Sequence, residues 1–144
     1  MNLDLGARLG RYEIRSLIGK GGMGVVYSAH DTELNRNVAV KVMPADVSEN
    51  AERLSRFKQE AQALARLNHP NILSILDVGS HEGSFYVVSE LLEGETLSQR
   101  SESERLPVRK ALDYAVQILR GLAAAHEKGI VHRDLKPDNL FITK

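Results

Sequence analysis

The string Gly19-Lys20-Gly21-Gly22-Met23-Gly24-Val25-Val26 has a G-x-G-x-x-G-x-V pattern. Missing side chains at those points let backbone N–H groups approach phosphate oxygens. The pattern also suits a plain hairpin, so its neighbours must decide. A dinucleotide-binding turn would open a helix at its last glycine, whereas Val25–Ala29 reads as a strand and no acidic residue follows at the right place. A Walker A loop would need lysine and then Ser or Thr after its final glycine, and Gly24 is followed by Val25. Lys41 interrupts the apolar run Val38-Ala39-Val40-Lys41-Val42-Met43, either as a solvated strand residue or as a cation awaiting a carboxylate and a phosphate. Glu60 lies at the edge of an apolar helix face, either as a surface carboxylate or as the partner of Lys41. The strongest cluster of polar side chains lies in Ile130-Val131-His132-Arg133-Asp134-Leu135-Lys136-Pro137-Asp138-Asn139-Leu140-Phe141. His126 and His132 are six residues apart with Gly129 between them, which does not fit a zinc-binding helix, and His30, His69 and His81 show no partner pattern.

Periodicity supplies the elements that must hold these residues. Tyr12 to Ile18 alternates with period two, and Val25–Ala29 and Val38–Met43 are β-branched runs around polar turns, which predicts an antiparallel meander closed by Pro44. Ala39, Lys41 and Met43 then share one face, and Val38, Val40 and Val42 the other. From about Asn50 to Leu67 the period becomes helical, through Leu54, Phe57, Ala61, Leu64 and Leu67, until His69-Pro70. Ile72–Val78 and Phe85–Glu90 are further strands around the Gly79–Ser84 turn. Glu93–Arg105 reads as a connector with a short helix. Pro107 opens a long helix ending at Lys128-Gly129, with Ala111, Leu112, Ala115, Leu119, Leu122 and His126 inward. A strand opens at Leu140-Phe141-Ile142. The expectation is an α+β fold: a tail over 1–11, a lobe over 12–92 with a five-stranded antiparallel sheet and one helix, and the first part of a helical lobe over 93–144.

Composition removes whole classes of function. With 19 Lys plus Arg against 19 Asp plus Glu, the 144 residues carry no net charge, which disfavours nucleic acid as a partner. No cysteine is present, so thiolate metal sites and disulfides are excluded. No segment approaches the ~20 apolar residues of a membrane span, and a soluble cytoplasmic chain is the default expectation.

From Tyr12 onward the chain resembles the eukaryotic-like Ser/Thr protein kinases, including their bacterial members. It carries their glycine loop, V-A-x-K strand, helix glutamate and H-R-D-L-K-P-x-N loop in order and spacing. Lys136-Pro137 after Leu135 resembles Ser/Thr enzymes rather than tyrosine kinases. The resemblance implies a lobed kinase fold that binds ATP with Mg2+ and transfers its γ-phosphoryl to Ser/Thr hydroxyls of a protein substrate. It implies that Gly19, Lys20, Gly21, Gly22, Met23 and Gly24 cover the phosphates, that Lys41 holds the α- and β-phosphates, and that Glu60 positions Lys41. Ile18, Val26 and Ala39 would sandwich the adenine with Phe141 below, and backbone groups of Glu90 and Leu92 would bond its edge. Asp134 would accept the substrate proton, Lys136 would balance charge on the transferring group, and Asn139 would hold the metal ion. His132 would anchor the loop, and Arg133 resembles the arginine that reads activation-loop phosphorylation.

The sequence stops at Lys144, before the family's D-F-G segment, its activation loop and A-P-E segment. The resemblance therefore implies an N-terminal part of a kinase domain whose parent continues through a further C-terminal region that can carry a membrane anchor. The alternative is a non-catalytic nucleotide-binding or regulatory module without the magnesium aspartate of that segment. Ser89 occupies the position that resembles the family's gatekeeper, usually a bulkier residue, which implies an enlarged pocket beside the adenine. The helix from Pro107 to Lys128 would leave apolar side chains in water at about 1.5–3 kcal/mol each. The isolated chain is thus expected to be poorly soluble. A monomeric product with a cooperative thermal transition would contradict this.

Overall fold

The computed structural model describes residues 3–21 and 24–144, so the expectations placed on Gly22 and Met23 lie outside the described residues. The chain forms two compact units, Met1–Arg66 with Leu73–Leu91, and Leu67–Ile72 with Leu92–Lys144. The later unit takes up the chain from Leu92 and also includes Leu67–Ile72.

In the first unit the alternating segments become strands β1 (Arg8–Leu9), β2 (Tyr12–Gly21), β3 (Gly24–Asp31) and β4 (Arg36–Val42). Helices α1 (Ala45–Glu49) and α2 (Ala51–Ala65) follow, and then strands β5 (Ile75–His81) and β6 (Ser84–Glu90). All the strand pairings are antiparallel, in the order β1-β2-β3-β4-β6-β5. Among the described residues the sheet has six strands where the sequence predicts five. Arg8 and Leu9 turn back to pair with Glu13 and Tyr12, which buries Leu9 and takes part of the expected tail into the sheet.

The predicted split of β4 is borne out. Val38, Val40 and Val42 join Leu9, Tyr12, Ile14, Val25, Tyr27, Ala29, Tyr86 and Val88 in one apolar cluster. On the opposite face Met43, Phe85 and Val87 pack with Ala61 of α2, and the Phe57 and Phe85 rings meet edge to face at 5.7 Å. Asn50 caps α2 by accepting from the Arg53 N–H at 3.0 Å, which sets where this helix begins.

Charge closes the far end of this sheet. Asp31 is fully buried and accepts from the Glu33 and Leu34 N–H groups at 3.1 Å each, with Arg11 Nε at 3.4 Å and Arg36 Nε at 3.7 Å. Arg11 also donates to Glu33 at 3.0 Å and to the Tyr12 hydroxyl at 3.1 Å, and that hydroxyl donates to Asp77 at 2.6 Å. One buried carboxylate thereby ties the β3–β4 turn to the start of β2, and Tyr12 carries the link to β5.

The second unit holds β7 (Gly94–Thr96), α3 (Leu97–Ser103), α4 (Val108–Glu127), a 3-10 turn at Pro137–Asn139, and β8 (Phe141–Thr143), which pairs with β7. Thr96 and Gln99 form a reciprocal capping box on α3. At the end of α4 the Gly129 N–H returns to His126 O and the Ile130 N–H to Ala125 O, which stops the helix where the sequence predicts. Of the predicted inner face of α4, Leu112 and Leu119 are 61% and 63% exposed, apolar side chains left in water as expected, while Leu122 is half-buried. Gly121 is buried, with Tyr114, Ile118 and Ala125 half-buried. The cause is Leu67–Ile72, which lies on this helix: Asn71 Nδ2 donates to Gln117 Oε1 at 3.2 Å, and a Cβ on Gly121 would stand 2.9 Å from Asn71 O. No helix among the described residues is long and apolar enough to cross a membrane.

Burial opposes ionisation of Asp31, but the Leu34 and Glu33 N–H groups and the Arg11 and Arg36 charges outweigh it and hold this carboxyl below its ordinary 3.8. A carboxyl more acidic in the folded chain than in the unfolded one adds stability at neutral pH, and that stability disappears as pH falls through the folded-state value. Urea denaturation should therefore show a steeper acid loss below pH 3.8 for the parent than for Asp31→Asn, which should also have the lower midpoint at pH 7. Parallel acid limbs would refute the assignment.

Candidate active site

Register across the sheet assembles the first group of residues. Val26 of β3 pairs with Gly19 on one side and Lys41 on the other, and Lys41 pairs with Val87. One step along, Ala39 stands between Ser28 and Ser89. Paired residues in an antiparallel sheet project on the same side, so Gly19, Val26, Ala39, Lys41 and Ser89 share the face that carries α2 further along. Register shifts between Ile14 and Ser16 and between Leu17 and Gly19 interrupt the alternation, and Ile18 has no partner on β3 and is 52% exposed. Lys20 is exposed, in register with Val25.

Lys41 is half-buried, and this burial lowers the pKa of its ammonium from the ordinary 10.5. Glu60 lies on the exposed side of α2, next to buried Ala61. Glu90, at the end of β6, is clamped to Ser74, whose N–H donates to Glu90 Oε1 at 2.8 Å and whose carbonyl accepts from the Glu90 N–H at 3.1 Å. Sequence reasoning missed this clamp because Ser74 lies 16 residues away with no local pattern linking the two.

The second unit gathers the other group. His132 Nδ1 accepts from the Asp134 N–H at 3.2 Å, the loop-anchoring role expected for it. Lys136 Nζ lies 3.4 Å from Asp134 Oδ2. Asn139 Nδ2 donates to the Asp134 carbonyl at 2.8 Å and to its Oδ2 at 3.2 Å. The 3-10 turn makes this local meeting, since the Asn139 N–H returns to Lys136 O. Arg133 adopts a φ of 66°, a left-handed conformation that stores strain directly before Asp134. Phe141 starts β8 opposite Thr96 and is 41% exposed, and Leu92 is half-buried in this unit. With the Asn139 amide N–H facing Asp134, its carbonyl oxygen is left as a hard donor beside a carboxylate, a pair that suits Mg2+. Neither oxygen is a soft ligand that would select a thiophilic metal.

Two glycines of the first group differ in what fixes them. Gly24 has a φ of 116°, and a Cβ there would run into the Val42 carbonyl oxygen, so the sheet itself demands glycine. A Cβ on Gly19 would meet nothing within 4 Å. Gly24→Ala should accordingly lower stability by about 1–3 kcal/mol, and Gly19→Ala by less than about 0.5 kcal/mol. Urea midpoints of the two variants check this, and equal losses would refute it.

The family profile described as "Protein kinase domain" matches residues 12–144. The chain is 43% identical over 140 residues to the serine/threonine-protein kinase PrkC of Bacillus subtilis, covering 96% of this chain and 22% of that protein. It is 46% identical over 140 residues to the serine/threonine-protein kinase PknA of Mycobacterium tuberculosis, covering 93% of this chain and 32% of that one. The chain thus spans about a fifth to a third of the length of these curated relatives. Its fold is similar to the crystal structure of the M. tuberculosis PknI kinase domain, with a TM-score of 0.90 at 28% identity, over 99% of this chain and 59% of that one. Glycine loop, strand lysine, catalytic-loop cluster, profile and fold agree, and the chain belongs to the protein kinase family, with bacterial serine/threonine kinases as its relatives.

Proposed function

We propose that this chain is the nucleotide-binding and catalytic-loop portion of a bacterial Ser/Thr protein kinase that transfers the γ-phosphoryl of Mg·ATP to Ser or Thr hydroxyls of a protein. The observation that carries the reading is Lys41. A half-buried ammonium whose pKa is lowered by burial is stabilised by an arriving anion, and it stands in register with Val26, itself in register with Gly19 at the start of the glycine loop. In this reading Lys41 holds the α- and β-phosphates, and backbone N–H groups from Gly19 to Gly24 cover them. Val26 and Ala39 take one face of the adenine with Ile18, and Phe141 supports the other. Backbone groups of Glu90 and Leu92 bond its edge, and Glu60 positions Lys41.

Asp134 accepts the proton of the substrate hydroxyl as its oxygen attacks the γ-phosphorus, and the bond to the β–γ bridging oxygen breaks to release ADP. Lys136 stabilises charge on the transferring group. Asn139, held against Asp134 by its amide, offers its carbonyl oxygen to the Mg2+ ion, which when bound neutralises phosphate charge. Protein Ser/Thr hydroxyls as substrate and the cytoplasm as location belong to this proposal.

Fluorescent-nucleotide titration and phosphoryl-transfer assays test it. Lys41→Ala should weaken ATP binding by at least about tenfold. Asp134→Asn should retain binding and lose about 100-fold or more in transfer. Because phosphate favours the charged lysine, ATP affinity of the parent should decline as pH rises toward the lowered lysine value, below 10.5. Undiminished ATP binding by Lys41→Ala would end the reading.

A further inference from the structure

Ser89 stands on β6 between Ala39 of β4 and Ile75 of β5, half-buried on the face that carries Lys41. Its Oγ donates to the carbonyl oxygen of Glu90 at 3.2 Å. That carbonyl is held in place, because both the N–H and the carboxylate of Glu90 are bonded to Ser74. A fixed acceptor therefore has a rotatable donor at its side. A backbone carbonyl alone welcomes the amino group of a 6-aminopurine and repels the oxygen of a 6-oxopurine, since two acceptors then face each other. A serine hydroxyl has one donor and two acceptor positions and turns to suit its neighbour. An exocyclic atom seated about 2.9 Å from the Glu90 oxygen can lie within hydrogen-bond reach of the Ser89 oxygen, only 3.2 Å from that carbonyl.

Resting on the nucleotide-binding reading above, we infer that Ser89 is a specificity-determining residue that lets the site take 6-oxopurine nucleoside triphosphates alongside ATP. Toward a 6-amino edge the hydroxyl keeps its bond to the Glu90 carbonyl. Toward a 6-oxo edge it turns away and donates to the exocyclic oxygen, supplying the donor that the backbone lacks. Proton count and bonding are unchanged, because only a hydroxyl torsion moves.

The test compares ATP with inosine triphosphate, which changes the 6-position and the adjacent ring nitrogen without adding a 2-amino group. The intact 144-residue chain should bind both. Ser89→Ala should raise the ratio of inosine triphosphate to ATP dissociation constants by about 3- to 10-fold. The ring-nitrogen difference is common to parent and variant and cancels in that comparison. Ser89→Thr and Ser89→Val, which exchange a hydroxyl for a methyl at equal size, form a second pair, and Thr should keep the parental ratio while Val loses it. Ratios equal within twofold across Ser, Ala, Thr and Val, or a parent that binds ATP but not inosine triphosphate, would overturn the inference and leave the nucleotide reading standing. A parent that binds neither would remove both.

Discussion

Cross-strand register between β2, β3, β4 and β6 is the constraint on which the rest depends. Gly19, Val26, Lys41 and Val87 form one row and Ser28, Ala39 and Ser89 the next, so a slip of one residue would send Lys41 to the face where Val40 and Val42 are buried. Burial guards that register from both sides. Val38 and Val40 are fully buried on one face, while Met43, Phe85 and Val87 lie under α2 on the other. The lysine is therefore carried into a half-buried position by neighbours whose apolar burial far outweighs its own desolvation.

Polar locks finish what the apolar faces leave loose. The Asp31 carboxylate holds the β3–β4 turn and the start of β2 at one end of the sheet. The Ser74–Glu90 clamp holds the end of β6. In the other unit the Asp134 carboxylate is oriented by Lys136 and Asn139 through contacts that span five residues or fewer. Such short-range contacts need little help from distant packing.

Much of this was legible beforehand because its determinants are local. Period-two alternation marked β2, β-branched runs marked β3 and β4, helical spacing marked α2 and α4, and the H-R-D-L-K-P-x-N string placed Asp134, Lys136 and Asn139 within five residues of each other. Three features escaped. Strand β1 has only two residues, too few to show a period. The neighbour of α4 at Gly121 was hidden because an apolar stripe reveals amphipathicity but not which segment arrives, and Asn71 arrives there. The burial of Asp31 was hidden in a stretch that reads as a solvated turn, since only Arg11 and Arg36, brought close by the sheet, make that burial tolerable.

The sequence by itself determined the longer strands, the two long helices, the apolar faces of the sheet and the local geometry of the loop around Asp134, because each rests on residues a few positions apart. Tertiary structure alone decided which strand neighbours Lys41, that its ammonium is half-buried, that Ser74 clamps Glu90 and that Gly24 abuts Val42. Those are meetings between distant segments, and they follow from how sheet register and side-chain volume are satisfied together.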